Sequence, residues 1–581
     1  MASPRRAAVT WLVALAAAVG LAALFAPGCS SPTTLTAPSA PVAAAGVGGQ
    51  WFEDVTDKVG LTFTHDSGPT GAYFMPQSMV AGCAIFDADG DGRPDLFFIQ
   101  SAGPNTGKGN QLWLQDAAGK FRDASAGSGL DFDGVNVGVA VGDIDNDGRP
   151  DILVTQYTGA RLFHNEGGGK FKDITAAAGI NNPLWGSSAA FFDYDRDGRL
   201  DLVIVNYLDY DRSWPCTAPD GSKDFCGPKT FTGTAARLFH NLGPKPGTPA
   251  AFADVTAASG LAAKVGPGLG VYCADLTGDG WPDMFVTNDG MPNHLWVNQK
   301  DGTFKDEAFS RGLALTGMGV SYANMGIAAG DYDGDGLIDL FVTHLSSETH
   351  TLWRQHPAGL FKDQTQAAGA AKTKWRGTGF GSVAADFDLD GRPDIAFVNG
   401  RVYVGPPPAA GADDVPPFWR PYTERNQLMR NVGGKFEDVS DANPAFCSVP
   451  NVGRGLAVGD IDGDGRPDLL VMATAGRARL YRNVTTANHW LAVRATDPSR
   501  GGRDLYGTTV KLTAGGRTQV QSVQPGHSYL SSSTPELLFG LGDAAFVDRL
   551  DVTWPDGKTE TFPGGPAGRR LTLTPGGGKS S

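Results

Sequence analysis

An all-β chain whose four-stranded repeats close into a ring is what the sequence predicts, on three observations. A nine-residue acidic loop, D-x-D-x-D-G-x-x-D or a close variant, recurs seven times between apolar, β-branched runs. An apolar pentapeptide ending in Asn or Gln follows each loop: QLWLQ, RLFHN, RLFHN, HLWVN, TLWRQ, QLMRN and RLYRN. A segment F-x-D begins at Phe52, Phe121, Phe171, Phe252, Phe304, Phe361 and Phe436. Strand, acidic loop, second strand, pentapeptide strand, Gly turn and F-x-D strand give four antiparallel strands in about 50 residues, the size of a β-propeller blade. A share of 80 Gly in 581 residues fits many tight turns.

The elements follow in chain order. Residues 1–28 are expected to be an export signal: Arg5 and Arg6 precede an apolar stretch over residues 7–25, and Ala26, Pro27, Gly28 and Cys29 form a small-residue cleavage region. This resembles a bacterial lipoprotein signal, in which Cys29 would become the lipidated first residue. The alternative is an uncleaved anchor, since the apolar stretch is long enough to span a bilayer. Either way the remainder is expected outside the cytoplasm, in the cell envelope, at the outer surface or secreted. Residues 29–50, rich in Pro, Ala, Ser and Thr, are expected to be a flexible linker.

Residues 51–484 hold the seven repeats. The chain enters with an F-x-D strand at Phe52, and the seventh repeat ends at RLYRN without one. The N-terminal strand is therefore expected to complete the last blade. Two insertions, residues 207–235 and 400–425, fall between second and third strands. Cys216 and Cys226 flank a turn-rich stretch of the first insertion and are expected to bridge. Cys83 and Cys273, inside apolar strands, are expected to be buried free thiols, and Cys447 lies in a loop.

The acidic loops carry the chemistry. They comprise Asp87, Asp89, Asp91 and Asp95; Asp143, Asp145, Asp147 and Asp151; Asp193, Asp195, Asp197 and Asp201; Asp275, Thr277, Asp279 and Asp283; Asp331, Asp333, Asp335 and Asp339; Asp386, Asp388, Asp390 and Asp394; and Asp460, Asp462, Asp464 and Asp468. Carboxylates at positions 1, 3, 5 and 9 around a Gly at position 6 suit a hard cation bound by six to eight oxygens, hence up to seven Ca²⁺. An EF-hand would need Glu at position 12, which is Phe98, Val154 or Ile204 here, so these are strand-loop-strand sites. The formal net charge of -14 is of the size that seven divalent cations would offset. That assigns the acidity to metal loops and argues against nucleic acid as a partner.

Residues 485–575 alternate with period two in HWLAVRA, TTVKLTA, TQVQSV and RLDVTW, with an Asp556-Gly557 hairpin signal, and predict a small β domain followed by a tail at 576–581. Its Asp and Arg residues are expected on the solvent face.

These residues resemble a known family. The acidic-loop blades look like the FG-GAP/VCBS repeats of integrin α-subunit propellers. Arg503-Asp504-x-x-Gly507, Ser528-Tyr529-Leu530-Ser531, Leu538-Phe539-Gly540-Leu541-Gly542 and Val547-Asp548-x-Leu550-x-Val552-x-Trp554-Pro555-x-Gly557 resemble the ASPIC/UnbV module of the cartilage acidic protein family. Ser499 to Gly502 depart from the family's usual Ser-Asn before Arg-Asp. The resemblance implies a surface-tethered recognition or adhesion module with calcium as structural glue and an extracellular protein or glycan as ligand.

No GxSxG or HExxH occurs, and Gly103 to Gly109 falls short of a P-loop. No catalytic residue is assigned. The alternative is a propeller enzyme of polysaccharide hydrolase or lyase type, with a loop-built site on the face opposite the acidic loops. On that face, five residues after each ninth-position Asp, stand Gln156, Asn206, Asn288, His344 and Asn399 among others. With Trp185 and Trp375 they form the expected ligand surface.

Overall fold

The computed structural model describes residues 49–581 apart from 219, 220, 407, 409, 487 and 581. The expected export signal, Cys29 and all but the end of the linker lie outside the described residues. Seven four-stranded antiparallel units follow one another, each made of the predicted elements in the predicted order. In the second, Asn136–Gly142, Asp151–Gln156, Gly159–Gly167 and Lys170–Asp173 pair in sequence. Gly142 opposite Asp151 places the acidic loop at the strand ends. The innermost strands adjoin in cyclic order, from Cys83–Phe86 through to Gly453–Gly459 and back to Cys83–Phe86. The sheets therefore form a closed ring with no free inner edge.

The ring closes as the strand count requires. Phe52–Asp54 pairs with Arg479–Asn483, Phe52 opposite Asn483 and Asp54 opposite Tyr481. Phe52 is fully buried, edge-on to Phe387 at 5.2 Å. Arg479 holds Asp54 at 2.8 Å and Arg482 holds Glu53 at 2.9 Å.

The terminal Asn of the pentapeptide has a physical reason. Its side-chain amide donates to the carbonyl of loop position 2 in the preceding blade: Asn165 to Ala88, Asn241 to Ile144, Asn298 to Tyr194, Asn431 to Tyr332 and Asn483 to Phe387. Gln115 reaches Ile461 and so stitches the first blade to the seventh. Gln355 bonds Ile338 of its own blade instead. Asn431→Ala strands the Tyr332 and Pro393 carbonyls and the Gly434 N–H. Denaturant unfolding is expected to register a loss of about 2 to 3 kcal/mol.

The C-terminal residues form two sheets. Arg503–Asp504, His489–Asp497 and Leu537–Gly542 pair in that order, with Arg569–Leu573 parallel to His489–Asp497. Arg517–Ser522, Thr509–Ala514, Phe546–Thr553, Thr559–Pro566 and Lys579–Ser580 make the second. The Asp556-Gly557 turn joins Thr553 to its partner Thr559. Val493, Leu512, Phe539 and Leu550 share one core with Leu153 and Phe191 of the second and third blades, so this module is fused to the ring.

One element escaped the sequence reading. The hairpin Gly526–His527 and Ser531–Ser532 enters the bore of the ring and adds to the first blade, Ser532 pairing parallel with Ala84. Ser528 exchanges backbone bonds with Ile327, the Leu530 carbonyl accepts from Val139 N–H, and the Tyr529 hydroxyl reaches the Met79 carbonyl at 3.1 Å. Tyr529 and Leu530 are buried to within 1 %. A residue that reads as a small-domain motif thus fills the axis of its neighbour.

At the opposite end the two insertions meet. Phe225 of the first stacks on Trp419 of the second at 5.6 Å, and the Tyr422 hydroxyl donates to Asp224 at 2.7 Å. Cys216 and Cys226 are bonded. Cys83, Cys273 and Cys447 are buried free thiols, Cys447 ending the short helix Pro444–Cys447 rather than sitting in open loop.

Candidate metal loops and the module that covers them

Each acidic loop is shaped by its own carboxylates. The position-1 Asp accepts the N–H of the position-6 Gly in every copy, from Asp87 with Gly92 to Asp460 with Gly465, at 2.7 to 3.0 Å. Those glycines sit at φ between 83° and 89°, where a side chain would strain the backbone. The position-9 Asp opens the second strand, at most 1 % exposed in all copies. Asp151 takes Ile144 N–H on one oxygen at 2.9 Å and Asn165 N–H on the other at 2.7 Å, clamping loop and third strand together. The same pair of bonds recurs at Asp95, Asp201, Asp283, Asp339, Asp394 and Asp468. The position-5 Asp ion-pairs with a position-7 Arg in Asp91–Arg93, Asp147–Arg149, Asp197–Arg199, Asp390–Arg392 and Asp464–Arg466.

The carboxylates converge. In the first three loops an oxygen from each of positions 1, 3 and 9 lies within 4.8 Å of the others: Asp87, Asp89 and Asp95; Asp143, Asp145 and Asp151; Asp193, Asp195 and Asp201. Burial and the adjacent carboxylates push Asp143 up to about 7 and Asp193 to about 6. Burial drives Asp95 and Asp283 to about 7 and Asp339 to about 8, against their backbone donors. Buried Asp145 Oδ1, Asp193 Oδ1, Asp390 Oδ1 and Thr277 Oγ1 accept no hydrogen bond. Hard oxygens, crowded negative charge and acceptors without donors fit a calcium-type ion.

A pH dependence follows from these shifts. An Asp whose folded pKa is raised stabilises the fold while protonated, and that contribution is lost as pH rises through the folded value. In chelator the chain is therefore expected to melt at falling temperatures between about pH 5 and pH 8, whereas saturating calcium removes the trend. A chelated melt that rises across that window would contradict the protonated loops.

In five of the seven blades the strand beside the loop contributes a basic group that the repeat pattern hid. His164 Nε2 lies 3.1 Å from Asp145, and His240 Nδ1 lies 3.0 Å from Asp201. In the fifth, sixth and seventh blades the same position is Arg354, Arg430 or Arg482, against Asp333, Asp388 and Asp462. The signal was present in the fourth letter of RLFHN, TLWRQ, QLMRN and RLYRN, where a basic group recurs.

The C-terminal module docks on this loop face. Arg570 ion-pairs with Asp460 and Glu536, Arg500 bonds the Gly198 carbonyl, Gly501 abuts Asp147 and Gly148, and the Trp490 ring covers Gly465. Arg517 donates to the Asp390 carbonyl at 2.7 Å and Gly542 N–H to Leu389 at 2.8 Å. Arg503 is only 3 % exposed, with Nε and Nη1 unpartnered and its charge facing Asp193 and Asp143. The expectation of solvent-face charges here is corrected for Arg503, which is buried toward Asp193 and Asp143, whereas Arg494, Arg517, Arg549 and Arg570 are exposed.

The expected ligand surface is also corrected. Asn206, Asn288, His344 and Asn399 are at most 1 % exposed. Their amides donate to the carbonyls of Ala235, Pro292 and Arg425, while the His344 ring lies 3.0 Å from Ala323 O and 2.8 Å from Thr351 Oγ1. Gln156 donates to Asn136 at 2.7 Å. Trp185 is buried against Tyr157, Tyr207 and Tyr210, and Trp375 lies under the Arg425 guanidinium at 4.0 Å. The Nδ2 groups at these strand ends satisfy the backbone of the adjoining loops, while Asn288 Oδ1 and Asn399 Oδ1 are buried without a donor.

A β-propeller with cation-type acidic loops, plugged and covered by its own C-terminal module, is the class of protein these features define. The chain belongs to the FG-GAP-like repeat family, matched over residues 87–154, 143–204, 275–342, 331–397 and 418–471, and residues 498–580 match the ASPIC and UnbV domain. It is 29 % identical to cartilage acidic protein 1 of Mus musculus over 320 residues, 53 % of this chain and 45 % of that one. Against the Homo sapiens protein it is 28 % identical over 319 residues, 53 % and 44 % of the two chains. The chain thus spans less than half the length of these relatives. Among solved structures, an Agrocybe aegerita lectin that recognises non-reducing terminal N-acetylglucosamine matches at 14 % identity and TM-score 0.35, over 64 % of this chain and 84 % of that one. Bacillus licheniformis rhamnogalacturonan lyase PL11 matches at 14 % and 0.35, over 70 % and 72 %. Likeness at that level carries no argument about activity.

Proposed function

We propose that this chain is an exported, calcium-loaded recognition module for an extracellular glycan or protein, tethered through a lipid on Cys29. The observation that carries the reading is the set of loop oxygens left without donors, Asp145 Oδ1, Asp193 Oδ1 and Asp390 Oδ1, inside converging carboxylates. Bound calcium would supply the positive charge that relieves this repulsion. The residues to hold it are positions 1, 3, 5 and 9 of the seven loops, with Thr277 in the fourth. Calcium then acts as part of the scaffold, since the same loops carry the C-terminal module. The Cys216–Cys226 bond supports export, because such bonds persist in oxidising compartments. Among the described residues no helix is long and apolar enough to cross a membrane.

Native mass spectrometry of residues 49–581 with calorimetric calcium titration tests the reading. Calcium uptake that falls on Asp145→Ala and Asp390→Ala is expected. A chain that takes up no calcium would overturn it.

A further inference from the structure

A cavity lies between the ring and the C-terminal module, on the loop face. It has a volume of about 610 Å³ and is bounded mainly by the fifth, sixth and seventh blades on one side and by residues 516–522 and 533–538 on the other. That size is within the range of small-molecule sites, and a boundary between structural units is where such sites favour. What distinguishes it is which polar groups on its wall are already engaged.

Most charged groups that reach the cavity are engaged, while the exposed Arg517 gives one hydrogen bond to a carbonyl and forms no ion pair among the described residues. Asp331 accepts the N–H groups of Gly334, Asp335 and Gly336, Asp333 faces Arg354 at 3.4 Å, and Glu536 ion-pairs with Arg570. Arg392 holds Asp390 at 3.0 Å and Arg517 donates to the Asp390 carbonyl. Three neutral side chains do not share this pattern. Gln519 and Gln521 donate their Nε2 groups to the Gly540 and Leu538 carbonyls at 2.7 and 2.8 Å, which fixes both amides and leaves each Oε1 without a donor. The His527 imidazole, at the root of the hairpin in the bore, lines the cavity and makes no hydrogen bond among the described residues. Burial pulls it down to about 4, so the ring is neutral and offers one donor and one acceptor. Tyr272, Val458 and Val520 supply apolar wall.

We infer that this cavity binds an uncharged, hydroxyl-rich ligand, a neutral saccharide unit, through Gln519, Gln521 and His527. Hydroxyl groups donate to the two fixed amide oxygens and both donate to and accept from the imidazole, while ring C–H faces meet the apolar wall. The inference rests on the recognition reading and names the ligand class and the place, on the loop face rather than the opposite one.

Ligand-observed saturation-transfer NMR on calcium-loaded residues 49–581 tests it, with the methyl glycosides of glucose, galactose, mannose and N-acetylglucosamine as neutral probes and glucuronate and glucosamine as charged ones. Transfer from at least one neutral glycoside is expected. Affinity is expected to weaken about tenfold in Gln521→Leu and in His527→Phe, and to stay unchanged in Gln156→Ala on the far side of the ring. Gln519→Leu replaces either variant that fails to fold. Absence of transfer from all neutral glycosides, stronger binding of a charged probe, or undiminished affinity in the folded cavity variants overturns the inference. Calcium titration of the same samples separates the two readings: calcium uptake without sugar binding removes the cavity proposal alone.

Discussion

In excess chelator at neutral pH the folded chain is expected to melt about 10 °C below its calcium-saturated form. Extracellular calcium sites commonly have dissociation constants of about 10⁻⁴ to 10⁻³ M. At ten times such a value each site adds about 1.4 kcal/mol, or roughly 10 kcal/mol over seven independent sites. The structure adds a reason for the effect to be global. Arg570 on Asp460, Trp490 over Gly465 and Gly542 on Leu389 hang the C-terminal module on the loops themselves. Losing loop geometry therefore loosens the module and its hairpin together. The fourth loop, with Thr277 in place of a carboxylate, is expected to empty first during graded chelation. Scanning calorimetry with and without chelator checks this, and superimposable melts would contradict it.

Removing residues 51–57 is expected to abolish the cooperative melt of the ring. Trp51, Phe52 and Val55 are buried there, each contributing about 1.5 to 3 kcal/mol through lost exposure. Their absence also exposes Arg479–Asn483 as a bare sheet edge, an invitation to association. Gel filtration with light scattering is expected to show aggregates. Phe52→Ala gives the graded version, a loss of about 3 to 5 kcal/mol without removing the strand. A truncated chain that stays monomeric and melts like its parent would mean that the seventh blade holds without its fourth strand.

The ring was legible because its signals are local and repeated. Position-6 Gly, strand alternation and the missing F-x-D after RLYRN each constrain a few adjacent residues, and seven copies average out the exceptions. The placement of the C-terminal module was not legible. Arg503, Arg570 and Tyr529 sit in ordinary strand and turn contexts, and what places them is complementarity to Asp193, Asp460 and the bore, more than a hundred residues away in sequence. The amides Asn206, Asn288 and Asn399 stand at one end of their strands and donate to loop carbonyls. Sequence position fixes which end of the strand they occupy, whereas the carbonyls they satisfy come from loops whose course it does not specify.

The two contacts that finish the molecule join the extremes of the chain: Asp54 meets Arg479 across 425 residues, and Cys83 meets Ser531 across 448. Contacts of such separation must be reached before they return any stability, so formation of the native state is expected to be slow and to pass through open-ring species. Blades can form as they are synthesised, but the first blade waits for Ser532 and the seventh waits for both Phe52 and Asn483. Once both ends are seated, departure of either must break a sheet. Resistance to unfolding thus resides in the order of assembly, with the residues synthesised late acting as the bolt on those synthesised early.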